Sequence, residues 1–241
     1  MIGYASNTGT RRNLNALRIA GWRILLTPDN STVRAGLKHG IDNGAWKAHQ
    51  QKTAFDCDGF SSLVDRHGST ADFVVIPDIV AGGNASLDFS LSWLPGLVAR
   101  APYLLLPVQD GMDPGDVQRV LSAYPRLGIF LGGSTEYKLS TMYDWGIRAA
   151  SMQRWFHVGR VNTARRIRLC AEAGATSFDG TSATMFSCTL PLLDTTRRQP
   201  SLLTPNVSQR ERGSSLSVET GVEERQQKSK PLLERNNPVT L

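Results

Sequence analysis

The sequence has few cysteines, no long apolar run and no signal-like start. Its three cysteines, Cys57, Cys170 and Cys188, are odd in number and widely spaced, and none belongs to a C-x-x-C pair. This pattern encodes neither a disulfide framework nor a thiolate zinc site. No apolar stretch approaches the length of a membrane span, and "MIGYASNTGT" lacks the basic start and apolar run of a signal peptide. We therefore expect a soluble, cytoplasmic protein.

The charge balance is basic but moderate. A net charge of +6, from 27 Lys and Arg against 21 Asp and Glu, permits a polyanionic partner. From Pro200 the chain becomes rich in Ser, Gln, Glu and Arg, a composition too polar to offset the entropy of ordering. We interpret residues 200–241 as a disordered tail. The alternative is a basic arm that folds on a partner.

Residues 1–199 repeat one theme, a short apolar run followed by a polar or Gly-rich break and then usually a segment with helical spacing. Eight such runs alternating with helices predict a compact (β/α)8 barrel, with a doubly wound open sheet as the alternative. The weakest interval is "RAGLKHG", which is short for a helix between the second and third strands. The runs are "IGYAS", "WRILLTP", "GIDNG", "ADFVVIPD", "YLLLPVQD", "GIFLGG", "WFHVGR" and "TSFDG".

Polar and glycine residues close six of these runs. In a (β/α)8 barrel the active site lies at the carboxyl ends of the strands, so these residues are the candidates for chemistry. Each aspartate taken singly is also a good turn former. Several carboxylates around one rim repel one another, which suits general-acid and nucleophile roles and is costly as structure alone. The closing residues are Asp42, Asp78, Gln109 with Asp110, Gly132 with Gly133, Gly159 with Arg160, and Asp179.

Three further features have a structural and a functional interpretation. His157 lies inside an apolar strand and is more typical of a satisfied core histidine than of a base. "GGST" lacks the Lys of a phosphate loop, so Gly132 and Gly133 are better explained by close approach of a planar ligand to the backbone. "GRVNTARR" places Arg160, Arg165 and Arg166 near a helix start, which fits either a phosphate site or a solvated face.

In their order, these motifs resemble those of the tRNA-guanine transglycosylase superfamily, and within it the DpdA-like phage and bacterial branch that inserts 7-deazaguanines into DNA. The resemblance covers residues 1 to about 199. "IDNGAW" is similar to the segment with the acid/base carboxylate, which implies that role for Asp42. "SFDG" after "HVGRV" is similar to the nucleophile segment, which implies Asp179 as the nucleophile. "ADFVVIPDI", "LPVQDG" and "GIFLGGST" are similar to base-binding segments, which implies base contacts from Asp78, Gln109, Gly132 and Gly133.

The resemblance implies an enzyme that replaces guanine in DNA with a 7-deazaguanine through a covalent aspartyl-sugar intermediate. Its partners would be guanine-containing DNA and the free deazaguanine base, with Arg160, Arg165 and Arg166, and also Arg197 and Arg198, gripping phosphates. The zinc subdomain of the tRNA enzymes has no counterpart after Asp179, so we expect no metal and no cofactor. The alternatives are base exchange or N-glycosidic hydrolysis on tRNA or nucleosides, and a non-catalytic nucleic-acid-binding subunit. A homo-oligomer or a helper protein is compatible with the sequence.

Overall fold

Eight parallel strands close into one barrel in the part of the chain that the computed structural model describes, residues 1–185 and 188–199. Neighbours along the chain are neighbours in the barrel, and the last strand pairs with the first in the register Ile2 with Ser177 to Ala5 with Gly180. The predicted (β/α)8 barrel is confirmed, and the open sheet is wrong. The strands are β1 (Ile2–Ser6), β2 (Arg23–Leu26), β3 (His39–Ile41), β4 (Val74–Val75), β5 (Leu104–Val108), β6 (Leu127–Leu131), β7 (Phe156–Val158) and β8 (Ser177–Gly180).

Helices surround the strands, except between β2 and β3, where the described chain forms turns and an isolated bridge from Thr27 to Asn30. The short "RAGLKHG" interval explains this, because it offers too few residues for a helix that packs back on the barrel. The helices are α1 (Arg11–Ala20), α2 (Ala45–Gln51), α3 (Cys57–His67), α4 (Gly83–Leu97), α5 (Pro114–Ala123), α6 (Thr135–Ser151), α7 (Ala164–Glu172), α8 (Ser182–Met185) and α9 (Leu190–Arg198).

The interior of the barrel is filled by large side chains from alternate strand positions. Tyr4, Leu25, Phe73, Val75 and Leu105 form this inner cluster, with ring centroids of Tyr4 and Phe73 5.0 Å apart. The other strand face packs against the helices in a larger cluster. Gly40 makes room for Phe73, since a Cβ at this glycine would lie 2.7 Å from the Phe73 ring.

Three helices that follow strand ends begin at a side-chain cap. Asp113, Ser134 and Thr163 accept hydrogen bonds from the third amide beyond them, at the starts of α5, α6 and α7. Such caps satisfy amides that the first helical turn leaves unpaired. They fix the loops after β5, β6 and β7, which carry three groups of candidate site residues.

Helix α9 closes the barrel at its amino-terminal end. Trp22 Nε1 donates to Asp194 Oδ1 at 2.9 Å, and the Arg197 guanidinium donates to the Met1 and Ala20 carbonyls. Arg198 also donates to Ala20 and pairs with Asp194. The suggestion that Arg197 and Arg198 grip phosphates near the active site is therefore wrong, because both lie at the opposite end of the barrel.

Two expectations from composition meet the structure here. All three cysteines are free, with Cys170 buried and Cys57 and Cys188 exposed. No helix within residues 1–185 and 188–199 is long and apolar enough to cross a membrane. The predicted tail, residues 200–241, lies outside the described residues.

Candidate active site

A cavity of about 80 Å³ opens at the carboxyl ends of the strands. All the predicted catalytic and base-binding residues and Arg160 line it, together with groups that the sequence did not single out. A larger groove, of about 770 Å³, lies between α1 and α9 and is mostly apolar, but it lacks converging carboxylates. The lining residues of the smaller cavity are Asp42, Asn43, Trp46, Val75, Asp78, Val80, Gln109, Phe130, Gly132, Gly133, Arg160 and Asp179.

Asp179 lies on β8 and is held from two sides. His157 Nε2 is 3.0 Å from its Oδ1 atom, and the Arg160 backbone amide lies 3.3 and 3.2 Å from its two oxygens. The side chain of Asp179 is 13% exposed, so one side of the carboxylate stays open to the cavity. Fixed donors of this kind stabilise negative charge on the carboxylate and restrict its orientation.

Behind Asp179 a chain of hydrogen bonds runs into the barrel. Trp155 Nε1 donates to Ser177 Oγ at 2.6 Å, and Ser177 Oγ lies 2.7 Å from His157 Nδ1. Since an indole N–H only donates, the serine oxygen accepts it and can direct its own proton to Nδ1. The hydrogen-bond pattern thereby assigns the Nε2 proton of His157 to the contact with Asp179.

His157 is fully buried, which agrees with the interpretation as a core histidine, and Phe130 stacks on it at 5.1 Å. Its contact with Asp179 is an additional property that the sequence interpretation missed. The signal was present in the strand alternation, because His157 pairs in register with Ser177 and Asp179 lies two residues further along the same face of β8.

Asp42 follows β3 and has a different environment. Burial raises its pKa to about 7, the negative charges of Asp179 and Asp78 add to this, and a hydrogen bond from the Gly44 amide at 2.9 Å opposes it. A carboxyl group with such a pKa carries a proton in a large fraction of molecules near neutral pH. Asp42 can therefore both deliver and accept a proton.

Asp78 and Gln109 lie side by side after β4 and β5. Burial raises the pKa of Asp78 to about 6, while Asn43 Nδ2 at 2.7 Å and Gln109 Nε2 at 3.1 Å donate to its two oxygens. Gln109 is buried, and its amide also bonds to Ile79, Ala81 and Ser86. In this arrangement Gln109 holds the β4–α4 loop and orients Asp78, so its predicted contact with a base would require these bonds to change.

Arg160 lies inside the cavity. Its guanidinium carbon is 3.6 Å from the centroid of the Trp46 ring, and the guanidinium donates to the Gly133 carbonyl. Its positive charge lowers the pKa values of Asp42 and Asp78 against the effect of their burial. The sequence interpretation grouped Arg160 with phosphate-binding arginines and overlooked Trp46, whose ring is the large aromatic surface at the cavity mouth.

The backbone of Arg160 has a left-handed conformation, with φ of 58°. Lys138 Nζ donates to the Gly159 carbonyl at 2.7 Å, and the amide of the same peptide group faces Asp179. Lys138 is buried, and burial lowers its pKa to about 8. One peptide group thus connects a buried lysine to the candidate nucleophile.

The remaining candidates lie outside the cavity. Arg165 and Arg166 are in the first turn of α7, with Arg165 exposed and Arg166 half-buried. Asp110 accepts two hydrogen bonds from Ser134, each of 2.7 Å, which lower its pKa and fix the start of α6. No group of three His, Cys, Asp or Glu side chains that could hold a metal ion occurs among residues 1–185 and 188–199.

Comparisons with known proteins add only to the description of the fold. No family model matches the chain, and no curated protein matches its sequence. RipC from Yersinia pestis superposes with a TM-score of 0.51 at 11% identity, covering 86% of this chain and 97% of that chain. An HpcH/HpaI aldolase from Desulfitobacterium hafniense DCB-2 gives a TM-score of 0.47 at 15% identity, covering 83% of this chain and 93% of that chain. Identities this low show a shared barrel fold alone, so function has to be argued from the site.

Proposed function

We propose that this chain is an enzyme of the transglycosylase type that exchanges guanine in DNA for a 7-deazaguanine through a covalent bond between Asp179 and the sugar. The observation that carries the proposal is the presence, in one cavity, of two carboxyl groups in unlike environments. Asp179 accepts hydrogen bonds from His157 and Arg160, whereas Asp42 is desolvated with a pKa raised to about 7. A reaction that needs a carboxylate nucleophile and a proton-carrying acid suits this division.

In the first half-reaction Asp179 attacks C1′ of the nucleotide. A carboxylate oxygen bonds to C1′ while the C1′–N9 bond breaks, through an oxocarbenium-like transition state like that of retaining glycosidases. The electron pair of the broken bond leaves with the purine, and Asp42 delivers the proton that makes guanine a neutral leaving group. The products are an aspartyl-sugar ester and free guanine.

The second half-reaction reverses these steps with another base. Asp42, now ionised, removes the N9 proton of the incoming 7-deazaguanine, and N9 attacks C1′. The ester bond to Asp179 breaks and its electron pair returns to the carboxylate. Both carboxyl groups regain their starting states, so the exchange needs no co-reactant beyond the two bases.

Asp78 supports recognition of guanine. Each of its oxygens accepts one hydrogen bond from the protein, which leaves lone pairs for the adjacent N–H donors on the pairing edge of guanine. Adenine presents an acceptor at the ring nitrogen of that edge and would leave a buried carboxylate unpaired, an arrangement that discriminates strongly.

Gly132 supports close approach of a flat base. A Cβ at this position would lie 3.6 Å or more from the nearest atoms, an ordinary contact, so the surrounding protein does not itself require glycine there. The residue lines the cavity beside Phe130. A ligand stacked against the backbone gives glycine a reason at this position.

The test is to trap the ester. Full-length protein is incubated with guanine-containing DNA and no incoming base, and a protein–DNA species that survives denaturation is mapped to the peptide containing "SFDGTS". We expect the wild type to form it and Asp179→Ala and Asp179→Asn to form none. The exposed Asp144→Ala on α6 is the matched control and should form it normally.

Other outcomes separate the alternatives. Base release with water incorporated at C1′ and no exchange would indicate hydrolysis instead. An adduct with tRNA and none with DNA would change the substrate. Normal exchange by Asp179→Ala would contradict covalent catalysis by this residue.

A further inference from the structure

A set of arginines flanks the cavity on one side of the barrel rim. Arg11, Arg12, Arg34, Arg165 and Arg166 lie on the segments that follow β1, β2 and β7, and we refer to them as the basic arc. Arg11, Arg12 and Arg165 are exposed, and none of the five takes part in an ion pair within the described chain. Exposed arginines without acidic partners keep their charge available for a ligand.

Hydrogen bonds join the loops after β7, β8 and β1. Asn162 Oδ1 accepts from the amides of Thr181 and Ser182 at 2.8 and 3.0 Å. Asn13, in the first turn of α1, donates to the Thr184 carbonyl at 2.9 Å. These three segments therefore form one continuous surface next to Asp179.

The loop after β2 is joined to the same surface. Asn7 Nδ2 donates to the Asn30 and Thr32 carbonyls at 3.0 and 2.9 Å, and Asn30 Nδ2 donates back to the Asn7 carbonyl. Arg34 Nε donates to Asn7 Oδ1 at 3.2 Å. The basic arc is thus supported by fixed loops across four consecutive strands.

Charge is distributed unequally around the rim. In residues 7–12, 27–34, 159–166 and 180–185 the single acid is Asp29, which is paired with Lys47. Across the barrel, residues 109–116 contain Asp110, Asp113 and Asp116 and no cation. A polyanion is attracted to the first side of the rim and repelled from the second.

The order of the site residues fixes how a nucleotide would lie. Asp78 and Gly132, the groups suited to a purine, follow β4 and β6, while Asp179 lies on β8. With its base toward β4–β6 and C1′ at Asp179, a nucleotide has its phosphates over β7, β8, β1 and β2. That is where the basic arc lies.

We propose that the basic arc binds the phosphates on both sides of the nucleotide that is presented to Asp179, with a flipped or single-stranded DNA segment as its partner. The inference rests on the proposed function, because the sugar at Asp179 determines which phosphates meet the arc. It adds Arg11, Arg12 and Arg34 to the nucleic-acid contacts and gives the strand a path across the rim.

The test compares two double variants of the full-length chain with equal charge loss. Arg11→Gln/Arg12→Gln removes two arc charges, and Lys38→Gln/Arg126→Gln removes two exposed charges just before β3 and β6, at the amino-terminal end of the barrel. Affinity for labelled single-stranded DNA is measured by fluorescence anisotropy over a range of salt concentrations. We expect about tenfold weaker binding and a salt slope reduced by about one unit for the arc variant, and wild-type behaviour for the control. Arg165→Gln, on a separate loop, should weaken binding in the same way.

Equal losses in both double variants would overturn the proposal, since binding would then follow net charge alone. Wild-type affinity of the arc variants would overturn it as well. Tighter binding of tRNA than of DNA, with the same dependence on the arc, would overturn DNA as the partner. Arc-dependent DNA binding without any adduct at Asp179 would refute the proposed function and leave the arc as a DNA-binding surface.

Discussion

At the scale of single residues, His157 connects the barrel interior to the candidate nucleophile. His157→Phe keeps a ring that can stack on Phe130 and removes the donor to Asp179. We expect adduct formation to slow by roughly 10- to 100-fold, the scale of a misaligned reacting group, with little change in DNA affinity. Single-turnover adduct formation and thermal melting, measured together, separate alignment from folding.

Two variants sharpen this prediction. His157→Gln retains an amide donor and should recover part of the rate. Ser177→Ala leaves the contact between His157 and Asp179 in place and should have a smaller effect on adduct formation. A stably folded His157→Phe protein with the full rate would show that His157 is only a core residue.

The raised pKa of Asp42 predicts a pH dependence of stability. Folding raises this pKa from 3.8 to about 7, so between these values the folded state holds a proton that the unfolded state has released. Stability is therefore lost progressively as pH rises through this window, and Asp78, with its pKa raised to about 6, contributes in the same direction. Asp42→Asn should melt above the wild type at about pH 8, with a smaller difference at about pH 4. A difference independent of pH would contradict the raised pKa.

At the scale of elements, the periodicity of the chain predicted most of the barrel. The spacing of "RRNLNALRIAG", "DPGDVQRVLSAY", "EYKLSTMYDWGIRAA" and "NTARRIRLCAEAG" corresponds to α1, α5, α6 and α7 within a few residues. The rule that strand ends meet at one rim also brought the predicted carboxylates together. Element order and rim position are encoded locally, so sequence patterns reveal them.

The detailed contacts of the site could not be predicted in this way. Arg160 occurs in the same basic segment as Arg165 and Arg166, yet its side chain lies over Trp46, which is more than a hundred residues away in the sequence. Its conformation depends on the peptide held between Lys138 and Asp179. Such tertiary contacts leave no trace in spacing or composition, and the same holds for the bonds that occupy Gln109.

The junction between the β7 and β8 loops provides a prediction at this scale. Asn162 Oδ1 accepts from Thr181 and Ser182, immediately after the strand that carries Asp179. Asn162→Ala leaves these donors unpaired and should reduce the free energy of unfolding by about 1–3 kcal/mol. Adduct formation should slow as well, because the end of β8 loses its support. Asn162→Asp keeps an acceptor and is the matched control, and denaturant unfolding of both variants is the measurement. Equal stability of Asn162→Ala and the wild type would show that the junction is unimportant.

At the scale of the whole molecule, the fold and the activity have separate foundations. The likeness to RipC extends over most of the chain at 11% identity, so it concerns the path of the backbone and not the chemistry. A barrel supports many reactions through its rim loops. The proposed activity therefore depends on a few side chains at one end, whereas stability depends on the core along the whole barrel.

This separation predicts where the chain can be shortened. Removing residues 200–241 should leave the melting temperature nearly unchanged, because the barrel is already closed by the pairing of β8 with β1 and that segment is too polar to bury much apolar surface. Removing residues 189–241 should unfold the protein, since α9 buries Leu190 and Leu193 and pairs Asp194 with Trp22 and Arg197. Each buried leucine contributes roughly 1.5–3 kcal/mol, a large part of the stability of an ordinary domain. Thermal melting of the two truncations is the test. A large drop for the shorter deletion would show that residues beyond 199 pack on the barrel, and a stable product of the longer one would show that α9 is dispensable.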